Sequence, residues 1–185
     1  MSNLDFPDKK YKLIYADPPW RFVTYSEEGE QKSATQHYDC MNIEDIYSLP
    51  VNDIADENCI LLMWAVDPML PEALKTIKRW GFTYKTIGFT WAKENKKSLG
   101  FFMGLGYWTR SNPEMCLLAT KGKPKRLDRG VRQLVVSPVR EHSRKPEQMY
   151  SHIEKLAEGP YVELFARNKR PGWDSWGNQT EKFNG

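Results

Sequence analysis

Cys59-Ile60-Leu61-Leu62-Met63-Trp64-Ala65-Val66 is an unbroken run of eight apolar residues, and it constrains the fold more than any other stretch. A strand with one face in water alternates polar and apolar side chains; one with no polar position must be covered on both faces. Apolar runs at 12–16, 84–92, 115–120, 133–137 and 161–166 read as further strands. Helical patterns fall between several of them. The first runs from an Asn42 N-cap, with Asp45 three residues on, to Leu49, where Pro50 stops it. The second runs from Pro68 to Trp80, with Leu70, Leu74, Ile77 and Trp80 on one face and Gly81 as its stop. The third opens at Lys145-Pro146 and runs to Glu158, ended by Gly159-Pro160. Strands alternating with helices predict an α/β fold with a three-layer sheet. A chain of 185 residues fits one domain, 1–185, large enough to bury a core. In such sheets ligands bind at the C-terminal ends of the strands.

One of those ends carries Asp17-Pro18-Pro19-Trp20, directly after Lys12-Leu13-Ile14-Tyr15-Ala16. Neither proline can donate to a ladder, and a residue before proline avoids helical dihedrals, so the strand stops in a stiff loop. The loop presents a carboxylate, fixed carbonyls and a flat ring. This set suits methylation of an exocyclic base amine, a poor nucleophile because its lone pair is delocalised into the ring. A carboxylate and a proline carbonyl accepting its two N–H bonds localise that lone pair, and the fixed loop does so without reorganisation. Trp20 offers a face for the base to stack on. The proton can leave after transfer, so no strong general base is needed.

Charge is uneven. Residues 1–92 hold nine Lys and Arg against fourteen Asp and Glu, a net −5, while residues 93–185 hold 18 against 10, a net +8. The basic half favours a polyanionic partner, with a solvated charged face as the alternative. Cys40, Cys59 and Cys116 form no C-x-x-C, and His37, His142 and His152 have no metal-ligand spacing, so neither a disulfide scaffold nor a metal is expected. With no signal peptide and no apolar run near 18 residues, the expectation is a soluble, cytoplasmic protein away from membranes.

Three loops stand out. Residues 21–37 are long, polar and patternless beside the candidate site. Residues 93–113 mix glycines, Tyr107, Trp108, Lys93, Lys96, Lys97 and Arg110, which suits a nucleic-acid contact or equally a plain flexible loop. Arg110 and Asn112 are its candidate substrate contacts. Residues 121–145 hold nine Lys and Arg against Asp128 and Glu141, with Lys123, Lys125, Arg126 and Arg140 as candidate phosphate contacts.

In order along the chain come YADPPW at 15–20, HYDCM at 37–41, LLMW at 61–64, WGF at 80–82, WAK at 91–93, NPEMCLL at 112–118, VREHSRKPEQMY at 139–150, VELFAR at 162–167 and WGNQ at 176–179. This series resembles the MT-A70 family of N6-adenine methyltransferases, most of all its compact bacterial and bacteriophage members, which are thought to act on DNA. The resemblance implies a Rossmann-like, S-adenosylmethionine-dependent methyltransferase in permuted order, with the catalytic loop before the cofactor strand. It implies that Asp17 and Pro18 bind the target amine, Asp17 also lying near the methionine ammonium. Pro19 completes the loop, Trp20 flanks the base, and Tyr38 lines the substrate side. Lys145 would pair with the methionine carboxylate, and Glu163, Arg167, Asn178 and Gln179 would hold ribose and adenine. Asn168-Lys169 departs from the His-Asn pair of the eukaryotic catalytic subunits, and the segment before Tyr11 is short, leaving Asp5-Phe6 for part of the adenine edge. The alternatives are RNA as substrate, or a non-catalytic nucleic-acid-binding subunit. The sequence leaves open whether the chain relies on its own loops, a second copy (a homodimer) or a partner subunit.

Overall fold

The computed structural model describes residues 5–20, 41–141 and 144–181. Seven strands form one sheet: β1 (Tyr11–Ala16), β2 (Ala55–Ala65), β3 (Thr83–Glu94), β4 (Glu114–Lys121), β5 (Leu134–Pro138), β6 (Tyr161–Leu164) and β7 (Trp173–Trp176). Their order across the sheet is β5-β3-β4-β2-β1-β6-β7. β2, β1, β6 and β7 run parallel, and β4 runs antiparallel to both β2 and β3.

The continuous apolar run is explained by its two faces. Leu61, Met63 and Ala65 of β2, with Ile14 and Ala16 of β1, pack on Ile46, Ala73, Ile77 and Trp80. Ile60, Leu62 and Trp64, with Leu13 and Tyr15, pack on Met149, Tyr150 and Ile153. Helices α1 (Ile43–Tyr47), α2 (Val51–Ile54) and α3 (Leu70–Arg79) cover the first face, and α4 (Gln148–Leu156) the second. Burying each aliphatic side chain contributes about 1.5–3 kcal/mol. The result is a Rossmann-like three-layer α/β fold.

Several boundaries differ from the sequence reading. Asn42 caps α1, but its side chain accepts from the Glu44 amide and the helix ends at Tyr47. Pro50 then caps the short α2, which the sequence reading left out. Pro68 lies inside a 3₁₀ turn, Asp67–Met69, that precedes α3. On α3 the buried face runs through Ala73, Thr76 and Ile77, while Leu74 is 37% exposed. Residues 70, 73, 77 and 80 share a face at 3.6 residues per turn, and Leu74 falls on its rim. α4 begins at Gln148, so Lys145 lies in the segment before the helix. The sequence reading also missed β7, an edge strand held by Trp173 stacking on Tyr161 at 4.7 Å between centroids. Cys59 and Cys116 are buried free thiols. No helix among the described residues is long and apolar enough to cross a membrane.

Candidate active site

Asp17 follows β1, with β2 on one side and β6 on the other, where the parallel strands end. The loop is held by its own backbone: the Asp17 N–H donates to the Leu164 carbonyl at 3.5 Å, and the Trp20 N–H to the Pro18 carbonyl at 2.8 Å. That bond uses one lone pair of the Pro18 carbonyl and leaves the other. Trp20 departs from the stacking role expected of it. Its ring is 4% exposed, and Nε1–H donates to the Trp64 carbonyl at 2.9 Å, so here it anchors the loop in the core.

A line of alternating charge runs through the site. Lys93 Nζ lies 2.6 Å from Glu114 Oε1, and Lys145 Nζ lies 2.8 Å from Glu114 Oε2 and 3.3 Å from Asp17 Oδ1. An Arg167 guanidinium nitrogen stands 3.9 Å from Asp17 Oδ2. Burial works to raise the Glu114 carboxyl, but Lys145 and Lys93 override it and bring it down to about 2. Burial likewise works to lower the Lys145 ammonium, and the charges of Asp17 and Glu114 hold it above the ordinary lysine value. Lys145 also sits 5.2 Å from the centroid of the Trp64 ring, a further contact that favours its charge.

Glu163, on β6, faces the same recess. Burial raises its carboxyl to about 7, the Asp17 charge adds to the rise, and the Tyr150 hydroxyl, donating at 2.8 Å, opposes it. Phe165 has φ 62°, a conformation that L residues rarely adopt and that marks functional or strained positions. The chain turns there, and the Ala166 N–H donates to the Trp176 carbonyl at 3.0 Å. A Cβ on Gly177 would stand 2.8 Å from the Ala166 nitrogen, so only glycine lets the Asn178-Gln179 loop close on the end of β6. Between these walls is a cleft of about 690 Å³ including its mouth, bounded by Asp17, Pro19, Phe165, Arg167, Asn178 and Gln179. Phe6 packs edge-on to Trp176 at the cleft's outer wall, 5.0 Å between centroids.

The structure therefore brings together Asp17, Pro19, Lys145, Glu163, Arg167, Asn178 and Gln179, with Pro18 in the same loop. Asn112 is a correction. Its amide donates to the Lys93 and Phe102 carbonyls and accepts the Lys93 N–H, so it is spent on stapling the 95–111 loop. Arg140 bonds the Lys145 carbonyl at 3.3 Å and pairs with Glu147, shaping the segment that carries Lys145. Lys123, Lys125 and Arg126 are corrected in place: β4 starts at Glu114 beside the site and carries the chain away, so Lys121 pairs opposite Cys59 near the start of β2. At 3.3 Å per residue that separation is on the order of 23 Å. Arg110 stays at the site end, exposed on the 95–111 loop. Tyr38 lies outside the described residues. Sequence reasoning missed roles for Lys93, Glu114 and Tyr150. The WAK and NPE segments were visible, but their adjacency depends on β3 pairing with β4, where Trp91 stands opposite Glu114.

Residues 11–179 match the MT-A70 family profile. The chain belongs to the MT-A70 family. Members similar to it include the Type II methyltransferase M.MunI of Mycoplasma sp, 34% identical over 92% of this chain and 78% of that protein. The N(6)-adenosine-methyltransferase MT-A70-like protein of Drosophila melanogaster is 30% identical over 93% of this chain. The human N(6)-adenosine-methyltransferase catalytic subunit METTL3 is 27% identical over the same share. The MT-A70 chain described here spans only 27% and 28% of those two eukaryotic proteins. Methyl transfer dependent on S-adenosylmethionine is the chemistry of the family.

Proposed function

We propose that this chain binds S-adenosylmethionine and methylates the N6 amine of adenine in DNA, as a single methyltransferase domain. The observation that carries the reading is the Asp17 carboxylate, held at a strand end by Lys145 and Arg167 and opening onto the Asn178-Gln179 cleft. The residues suit the cofactor: Asp17 for an ammonium, Lys145 for a carboxylate, Glu163 and Arg167 for ribose hydroxyls, Asn178 and Gln179 for adenine edges. S-adenosylmethionine supplies a methyl group activated by its sulfonium. The chain's own part is to hold the amine. Asp17 and the free lone pair of a loop carbonyl accept its two N–H bonds, localise the nitrogen lone pair and aim it. Because prolines and Trp20 fix the loop, that alignment costs little at the moment of reaction.

DNA is favoured because the chain is 34% identical to the Type II methyltransferase M.MunI, against 27–30% to the N(6)-adenosine-methyltransferases. Identity of 27–30% to the latter makes RNA the second substrate to test. The experiment is transfer of a labelled methyl group to matched single-stranded DNA, double-stranded DNA and RNA, followed by nucleoside analysis. N6-methyldeoxyadenosine is the expected product. Methylation of RNA alone would replace the DNA reading. No product with any polymer, and no shift in melting temperature with S-adenosylmethionine, would leave a non-catalytic subunit.

A further inference from the structure

The site's ion line leads outward into an unusual loop. Lys93 ends one side of its stem and Asn112 the other, and both adjoin Glu114. The loop is built, not slack: the Phe102 N–H donates to the Lys93 carbonyl at 2.8 Å, Gly104 to Ser111 at 2.6 Å and Asn95 to Gly100 at 3.0 Å. Gly106 at φ 58° lies against the Thr109 carbonyl, leaving no room for a Cβ. This frame holds large apolar side chains in water. Trp108 is 105% exposed and Phe101 65% exposed, with Met103 and Leu105 beside them. Trp108 has φ 62°, at the centre of a γ-turn closed by the Thr109 N–H on the Tyr107 carbonyl at 2.6 Å.

We propose that this loop is the platform on which the nucleic-acid strand flanking the target adenine stacks, with Trp108 and Phe101 as the base-stacking rings. The inference rests on the nucleic-acid reading above. Residues 95–113 carry Lys97, Arg110 and Lys96, which pairs with Glu141 at 3.2 Å, and no acidic residue of their own, with Glu94 just before them and Glu114, paired with Lys93 and Lys145, just after; the exposed Lys97 and Arg110 give the loop a charge complementary to phosphates. Exposed aromatics among cations suit successive bases, since every base has a π-face. A second copy of the chain fits less well. A two-fold interface sets the same patch against itself, and Lys97 and Arg110 would meet their own kind. A base taken out of its stack leaves its neighbours needing support, and a platform beside the site supplies it.

The test is binding of a fluorescein-labelled, adenine-containing single strand of DNA by anisotropy, for wild type, Trp108→Ala, Trp108→Gly and Trp108→Phe. Glycine tolerates the positive φ, so the alanine and glycine variants together separate the ring from backbone strain. Both are expected to raise Kd about tenfold, ~1.4 kcal/mol, while Trp108→Phe stays near wild type. The melting shift given by S-adenosylmethionine and the sedimentation mass should not change. A wild-type Kd in both the alanine and glycine variants would overturn the platform. A weakened Kd accompanied by a fall from dimer to monomer would overturn it too, assigning the loop to self-association. If wild type neither binds nor methylates any nucleic acid, the proposed function fails; if wild type does both and the variants match it, only the platform fails.

Discussion

Lys145 Nζ stands 3.3 Å from Asp17 Oδ1, and the same ammonium is held from behind by Glu114 at 2.8 Å. Asp17 is thus oriented by a cation that is itself fixed. Asp17→Asn keeps the side chain's shape but removes the charge that draws on the amine. Single-turnover methyl transfer is expected to fall about 10²–10³-fold, the loss typical of one aimed electrostatic contact. The fold should survive, because Lys145 retains Glu114. Near-wild-type turnover would rule out Asp17 as the group that receives the amine.

Glu114→Gln leaves Lys93 and Lys145 facing each other with no anion between them. Removing one partner of a buried pair destabilises strongly, and here a loss of about 3 kcal/mol is expected. The folded Glu114 carboxyl, at about 2, lies below its ordinary 4.5. Between those values the unfolded chain binds more protons, so this group's stabilisation is complete above about 4.5 and lost as pH falls towards 2. Chemical denaturation from pH 6 down to pH 2 checks it: the variant should start less stable and show the weaker acid dependence.

How much of the molecule was legible follows from what each signal depends on. The β1 and β2 runs could be read because strands covered on both faces leave no polar position to confuse them. β7, as Trp173-Asp174-Ser175-Trp176, was not, because four edge residues with two polar positions look like loop. Asp17 could be picked out because its chemistry is local to one tight loop. Lys93 and Glu114 could not, since their meeting depends on a strand pairing that closes across the 95–113 loop. Trp20 was read as a platform because a sequence does not tell a buried ring from an open one. Lys123, Lys125 and Arg126 could not be placed, because charge density along a chain says nothing about which end of a sheet it reaches.

That placement of the basic run has its own consequence. With Lys123, Lys125 and Arg126 at the other end of the sheet, their combined replacement by Gln should leave methyl transfer to a short oligonucleotide and its salt dependence unchanged. If they did touch the strand, removing each phosphate partner would flatten the log–log salt slope by about 0.7–0.9. A flatter slope measured by anisotropy on the short strand would return these residues to the substrate path.

Asn112 makes three hydrogen bonds with the Lys93 and Phe102 backbone, and Asn112→Ala removes all of them. Global stability should fall by about 1–2 kcal/mol, the cost of leaving partly buried backbone groups unmet. Amide exchange should rise most at Lys93, Phe102 and Gly104. Uniform acceleration across the sheet instead would mean that the staple supports the whole fold and not the loop.

Glu163 gives a pH signature opposite to that of Glu114. Its folded carboxyl is raised from 4.5 to about 7, chiefly by burial. Here the folded chain binds the extra proton between those values, so stability is fully present below about 4.5 and declines as pH rises through about 7. Glu163→Gln removes the buried charge while keeping an oxygen for the Tyr150 hydroxyl. It should therefore be more stable than wild type at pH 8, by up to ~3 kcal/mol, with the advantage vanishing by pH 4. Binding of S-adenosylmethionine should weaken most above about pH 7, where wild-type Glu163 is ionised and the neutral amide is a poorer acceptor for ribose hydroxyls. Thermal melts across that range, with and without the cofactor, measure both effects. A stability difference that does not vary with pH would show that Glu163 does not titrate in the buried recess.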